Sequence, residues 1–249
     1  MTGIIVQPAG LGDIFFLQKV AKTLLHNKTV NRIIWPIIDQ FDYIRHYIHI
    51  DGVKFCKRSE LNDFQRFISH SNHPGIVKIQ DVTTKEECIV IPLQAADRIF
   101  KNDYTSIMDV KYRLAGIDGS DWVTYFDYKR NYTREARLKN HLKIEDGDRY
   151  VVVSNSYGSP PGNIYRPLKY TGDKRVVNIK QIDGFNVFDW CGVIEDANEL
   201  HIVESCWIYI VEKLNLQAEV LNLYSRFDPA NFTHIRHIPT NVKWEFREW

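Results

Sequence analysis

The chain has no long apolar run: nowhere in its 249 residues are there the roughly 20 consecutive apolar residues that a membrane-spanning helix needs. The amino terminus also lacks the basic region, extended apolar stretch and small-residue cleavage site of a secretory signal. Residues 1–7 pass straight into a short apolar strand, and the cytoplasm is the expected location. Charge of one sign is missing too, since 32 Lys and Arg stand against 31 Asp and Glu. No global field draws such a protein onto a polyanion, so nucleic acid is not an expected partner. Cysteine is sparse: the four, Cys56, Cys88, Cys191 and Cys206, have no close paired spacing, which points away from a zinc knuckle or a disulfide framework and toward free, buried thiols. The N-x-T triplets at Asn27, Asn131 and Asn231 are read as chance matches without a secretory signal. Neither a GxSxG elbow nor a GxxxxGK[ST] loop occurs, which removes the hydrolase and P-loop readings. The nine histidines are scattered without the Cys or carboxylate pattern of a zinc site, so neither a metal nor another cofactor is expected.

What is present is ordinary globular material, with 44% hydrophobic and 25% charged residues, enough to bury a sizeable core. The length allows one to two domains. Short apolar runs alternate with helix-like stretches: Ile4-Ile5-Val6, residues 13–25, Ile33-Ile34-Trp35, residues 41–47 and residues 53–55. That is a βαβ rhythm. Within residues 13–25, Ile14, Leu17, Val20, Ala21, Leu24 and Leu25 recur at spacings of three and four, which predicts one helical face directed at a sheet. A helix over residues 60–68 and strands over 76–80 and 88–92 follow, then a loosely readable aromatic region at 103–128. Core packing is the favoured reading of Trp122, Tyr125, Phe126 and Tyr128, ahead of stacking on a sugar.

Residues 130–141 read as a charged helix and Glu145-Asp146-Gly147-Asp148 as a turn, which sets the expected domain boundary: residues 1–145, then 146–249. The second half restarts with an apolar strand at 149–154, a Ser/Gly/Pro loop to 167 and a strand at 175–179. Residues 185–192 follow, then short helices at 196–204 and 205–214 and a strand at 218–223. The expected fold class is α/β.

The strongest local signal is Gln7-Pro8-Ala9-Gly10-Leu11-Gly12-Asp13, between the first strand and the first helix. In a parallel sheet ligands bind beyond the carboxyl ends of strands, where this loop lies. Glycines admit close backbone approach, and a helix amino terminus offers N–H groups. Asp13 serves equally as an acid that offsets the helix dipole or as a group projecting toward a ligand. The loop is not a dinucleotide fingerprint: a third glycine is missing, and Ile33-Ile34-Trp35-Pro36 does not end on an acid.

Gly10-Leu11-Gly12-Asp13-Ile14 after an amino-terminal strand resembles the opening of the heptosyltransferase-type glycosyltransferases of glycosyltransferase family nine, which have the GT-B architecture. A second segment, Phe188-Asp189-Trp190-Cys191-Gly192-Val193-Ile194, then Asp196 to Leu200 and Val203-Glu204-Ser205-Cys206-Trp207, resembles the donor site of those enzymes. The resemblance implies two Rossmann-like domains facing a central cleft, the first on the acceptor side and the second binding a nucleotide sugar. It implies that Asp13 is the general base, with Gly10 and Gly12 in the acceptor-side loop. It implies an apolar strand and turn at 188–194, with Gly192 and Val193 lining the base pocket, and Glu204, Ser205 and Cys206 opening a helix under the diphosphate. Asn155 and Ser156, after the first strand of the second half, would face the donor phosphates, and Arg166 and Lys169 are cations that either neutralise them or remain solvated. Heptosyltransferases carry Asp-Thr-Gly and a following histidine at the turn occupied here by Glu204-Ser205-Cys206-Trp207, so sugar and nucleotide stay open.

The implied activity is metal-independent, inverting transfer of a sugar from a nucleotide-sugar donor to a hydroxyl of a glycan or glycolipid acceptor. The alternatives are a non-catalytic nucleotide-sugar-binding or interaction protein of the same fold, and a sugar transferase acting on DNA, which needs a basic groove.

Overall fold

The computed structural model describes residues 1–7, 10–61, 75–80, 85–93, 107–158, 164–226 and 240–248. It is a mixed α/β protein with two five-stranded, largely parallel sheets, and the chain separates into two compact units between Tyr128 and Lys129.

In the first unit, β1 (Thr2–Val6), β2 (Arg32–Ile37), β3 (Val53–Lys57), β4 (Val77–Gln80) and β5 (Glu87–Pro92) lie in the order β3-β2-β1-β5-β4. The first three and β5 are parallel, and β4 runs antiparallel along the edge. Ile4, Ile5, Val6, Val90 and Ile91 at the centre are at most 2% exposed, as expected of strands covered on both faces. Pro36 is tolerated in β2 because the pairing with β1 ends at Ile34, so its missing N–H costs that ladder nothing.

The expected helix over 13–25 is realised as α1 (Leu11–Phe16) and α2 (Gln18–His26), joined at Leu17. Ile14, Leu17, Val20, Ala21 and Leu24 are buried, as the spacing requires. The 41–47 stretch is a 3-10 helix, Asp39–His46. Of the helix expected over 60–68, Glu60 ends a 3-10 turn, Arg58–Glu60, and residues 62–68 lie outside the described residues.

From residue 107 onward the aromatic region folds as α3 (Ile107–Ala115) and α4 (Trp122–Tyr125), and residues 103–106 lie outside the described residues. Trp122 and Phe126 are wholly buried, with Phe126 5.2 Å from Phe15 and 5.8 Å from Trp122 between ring centroids. Burial of each ring contributes about 1.5–3 kcal/mol. The completely buried Gln18 fixes the segment after α4: its amide donates to Asp127 O at 3.0 Å and accepts from Asp127 N at 3.1 Å.

In the second unit, β6 (Tyr150–Ser154), β9 (Arg175–Asn178), β10 (Glu199–Val203), β11 (Val220–Tyr224) and β12 (Glu245–Arg247) form an all-parallel sheet in the order β12-β11-β10-β6-β9. A separate hairpin, β7 (Ser156–Tyr157) and β8 (Ile164–Tyr165), follows β6. Among its described residues are also helices α5 (Tyr132–His141), α6 (Cys191–Glu195) and α7 (Trp207–Ile210).

Three sequence readings change. The units divide at 128/129, ahead of the expected 145/146, because α5 packs on the 3-10 turn Val187–Trp190 and on α6. Charge seals that packing: Arg134 makes two hydrogen bonds of 2.8 and 2.7 Å to the carboxylate of the fully buried Asp189, and Arg130 joins Glu135 to Glu195. Residues 199–203, read as part of a helix, are the central strand β10. A five-residue run of this kind has no decisive period, and pairing with β6 and β11, which buries Leu200, Ile202 and Val203 completely, decides it. Residues 188–194, expected as strand and turn, are helical. Asn186 starts them with a capping box, accepting from Phe188 N at 2.9 Å while Asp189 accepts from Asn186 N at 2.7 Å.

Candidate functional site

Each sheet contains a point at which successive connections leave in opposite directions, and ligands of parallel sheets bind outside the carboxyl ends of the strands flanking it. In the first sheet β2 lies on one side of β1 and β5 on the other, so the point lies where β1 runs out into Gln7 and the Gly10-Leu11-Gly12-Asp13 loop. In the second sheet β9 lies on one side of β6 and β10 on the other. That point is framed by Asn155 after β6 and Glu204 after β10.

At the first point Gly10 is the N-cap of α1 and Asp13 stands in its first turn. Asp13 folds back toward the loop: a Cβ on Gly10 would come within 2.6 Å of Asp13 Oδ2, so glycine is required here to make room for the carboxylate. Gly12 lies half-buried inside the same turn. The other oxygen, Oδ1, is paired with Lys111 Nζ from α3. The Lys111 side chain is 1% exposed and that of Asp13 12%. Oδ2 accepts no hydrogen bond from any described residue. A second cation stands nearby in sequence-distant chain, with Arg58 Nη2 donating to Gln7 O at 2.7 Å; burial lowers its guanidinium below the ordinary value. Neither cation was identified from the sequence, since a lysine within a helix and an arginine after a strand are normally solvated.

At the second point the structure gathers five of the expected donor residues, with two arginines and a tyrosine. Asn155 O accepts from Arg166 N at 2.7 Å. The Arg166 guanidinium donates from Nε to Arg226 O at 2.9 Å and from Nη2 to Tyr157 Oη at 2.9 Å. Arg226 Nε lies 3.6 Å from Glu204 Oε2, whose side chain is only 8% exposed. Glu204 N bonds back to Tyr224 O at 2.9 Å. Since β10 lies between β6 and β11, these contacts form a rim across the carboxyl end of β10, with Ser156 half-buried beside Asn155. Ser205 Oγ donates to Val203 O at 2.9 Å. Cys206, the N-cap of the four-residue α7, has a thiol that burial pushes up to about 12. So short a helix has little dipole, and the stronger positive charge of this rim is carried by the two guanidinium groups.

Gly192 and Val193 are placed elsewhere. Both lie inside α6, and Val193 O accepts from Tyr150 Oη at 2.8 Å, at the amino end of β6, about 15 Å of strand from the rim. A Cβ on Gly192 would lie 3.0 Å from Glu135 Oε2 and 3.3 Å from Lys139 Cε, so this glycine lets α6 approach α5. Gly192→Leu is expected to cost about 1–3 kcal/mol by overpacking in denaturant unfolding, while leaving nucleotide affinity unchanged. A loss of affinity without loss of stability would return Gly192 to the binding site.

Among the described residues no group of three or more His, Cys, Asp or Glu side chains is arranged to hold a metal ion, and no helix is long and apolar enough to cross a membrane. No family model and no curated protein matches the sequence. The fold, however, is similar to that in the crystal structure of the glycosyl transferase family 9 protein from Veillonella parvula DSM 2008, with a TM-score of 0.53 at 10% sequence identity over 98% of this chain and 85% of that one. At that identity the likeness shows a shared fold.

Proposed function

We propose that the protein is a glycosyltransferase of the GT-B kind, with two Rossmann-like domains that divide acceptor and donor between them. It moves a sugar from a nucleotide-sugar donor to a hydroxyl of a glycan or glycolipid acceptor, with inversion and without a metal. The observation that carries this reading is Asp13: a mostly buried carboxylate at the first reversal point, held through Oδ1 by Lys111 and offering Oδ2. A general base needs that geometry, with one oxygen fixed by an orienting group and the other turned to the proton it takes.

In this reading the acceptor hydroxyl gives its proton to Asp13 Oδ2 as its oxygen attacks the anomeric carbon. The bond from that carbon to the diphosphate oxygen breaks, and its electrons leave with the nucleotide. Arg166 and Arg226 offset the charge that develops there. Asn155, Ser156, Ser205 and Cys206 border the donor through side-chain and backbone groups. Glu204 is a carboxylate, an acceptor suited to hydroxyl groups of the donor and not to its phosphates.

The reading is tested by thermal unfolding of the purified protein with nucleoside diphosphates and their sugar conjugates, with and without EDTA. Stabilisation that survives EDTA is expected, because a ligand bound only by the folded state raises its stability by mass action. Stabilisation abolished by EDTA would overturn metal independence, and no shift at millimolar concentration would overturn the donor site. Donor binding without transfer across an acceptor panel would instead favour a non-catalytic binding protein.

A further inference from the structure

Two buried glutamines of the first unit differ in how the fold uses them. Gln18, 0% exposed, has both ends of its amide paired with the backbone of Asp127. Gln7, 2% exposed, has a buried Oε1 with no hydrogen-bond partner among the described residues. Its backbone is held all the same, since Gln7 O accepts from Arg58 Nη2 at 2.7 Å. A buried carbonyl without a donor destabilises the folded chain. Packing alone would favour an apolar side chain of similar size here.

Gln7 lies where β1 runs out at the first reversal point, three residues before Gly10, over which the Asp13 carboxylate folds. Three residues span at most about 11 Å, so the amide and Asp13 Oδ2 border the same end of the strand. The terminal torsion of glutamine is broad, and a ligand can turn the amide toward itself. Two acceptor oxygens so placed suit a molecule with two hydroxyl groups, one giving its proton to Asp13 and the other donating to Gln7. A phosphate or carboxylate brings no donor to Oε1. We propose that Gln7 is a specificity-determining residue for the acceptor, taking a hydrogen bond from a hydroxyl that neighbours the one to be glycosylated. This rests on the general-base reading of Asp13 and adds to it the class of acceptor: a ring with adjacent hydroxyls, in preference to an isolated alcohol.

The test compares wild type, Gln7→Met and Gln7→Leu in thermal unfolding, in nucleoside diphosphate titration and in transfer to methyl glycosides, each glycoside alongside its analogue deoxygenated beside the reacting carbon. Gln7→Met is expected to melt above wild type, because it removes an unpaired polar atom at similar volume, and to bind the nucleotide as wild type does. Its kcat/KM for the intact glycoside falls about five- to hundredfold, through KM, and for the deoxy analogue equals that of wild type. Gln7→Leu follows Gln7→Met. Transfer to the intact glycoside at the wild-type kcat/KM overturns the proposal and leaves Asp13 standing as the base. An equal loss with the deoxy analogue also overturns it, because the neighbouring hydroxyl is then not what Gln7 reads. Melting of both variants below wild type overturns it as well, since the amide then serves the fold. If wild type transfers to no acceptor, the general-base reading and this proposal fall together.

Discussion

Asp13→Asn is expected to lower the rate of the proposed sugar transfer by about 10²–10⁴-fold, the usual contribution of a general base, and to leave nucleotide affinity where it was. Asparagine keeps an oxygen that can accept from Lys111, so the loop and α3 stay joined while the proton acceptor is lost. Asp13→Ala has the same effect on rate and leaves Lys111, 1% exposed, without its anion, as asparagine does, and also without a hydrogen-bond acceptor. Breaking a buried pair from one side costs about 3–5 kcal/mol, a large part of the stability of an ordinary domain. Both variants are inactive and both lose stability, because each leaves the ammonium of Lys111 buried without an anion; asparagine, which still offers that ammonium an oxygen, melts above alanine. Initial rates, titration of the nucleotide and thermal unfolding check this. Full turnover in Asp13→Asn removes the aspartate from the mechanism, whatever the alanine variant does to stability.

Arg134→Ala is expected to destabilise the second unit strongly, with a loss of about 3–5 kcal/mol. Asp189 is 0% exposed and receives two hydrogen bonds from Arg134, at 2.8 and 2.7 Å. Arg134 also donates to Gly184 O at 2.6 Å. Truncation leaves a buried carboxylate with the backbone N–H of Asn186 and without its cation. The matched control is Arg32→Ala, whose partner Glu86 is 59% exposed and whose own side chain is 63% exposed; a solvated pair of that kind contributes less than about 1 kcal/mol. Denaturant unfolding of both variants gives the comparison. Equal losses would mean that burial of Asp189 is not what makes the pair matter, and that the seam between α5 and α6 is held by apolar packing instead.

What the sequence made legible follows from how local each signal is. The period of Ile14, Leu17, Val20, Ala21 and Leu24 is a property of neighbouring residues, and these positions are buried in α1 and α2 as read. The Gly10 to Asp13 loop was visible because strand, glycines and acid are contiguous. β10 was not, since ELHIV carries no decisive period and becomes a strand only through partners far along the chain. Lys111 was illegible for the same reason: it lies 98 residues from Asp13, in a helix where a lysine ordinarily faces water. The rim of Asn155, Arg166, Arg226 and Glu204 depends on strand order, which places the carboxyl ends of β6, β10 and β11 side by side. Gly192 was placed by resemblance in a strand and turn lining a base pocket, and it lies instead in α6. Only the positions of Glu135 and Lys139 show that a helix fills the space.

The central claim is that the chain transfers sugar, and the direct measurement is consumption of nucleotide sugars by the wild-type protein and by Asp13→Asn, with free nucleoside diphosphate as the readout and a panel of glycan and glycolipid acceptors. The expected result is acceptor-dependent release of one nucleoside diphosphate by wild type, undiminished in EDTA, and its near absence in the variant. A wild-type protein that binds the donor and releases nothing with any acceptor, or a variant that releases as much as wild type, would contradict it.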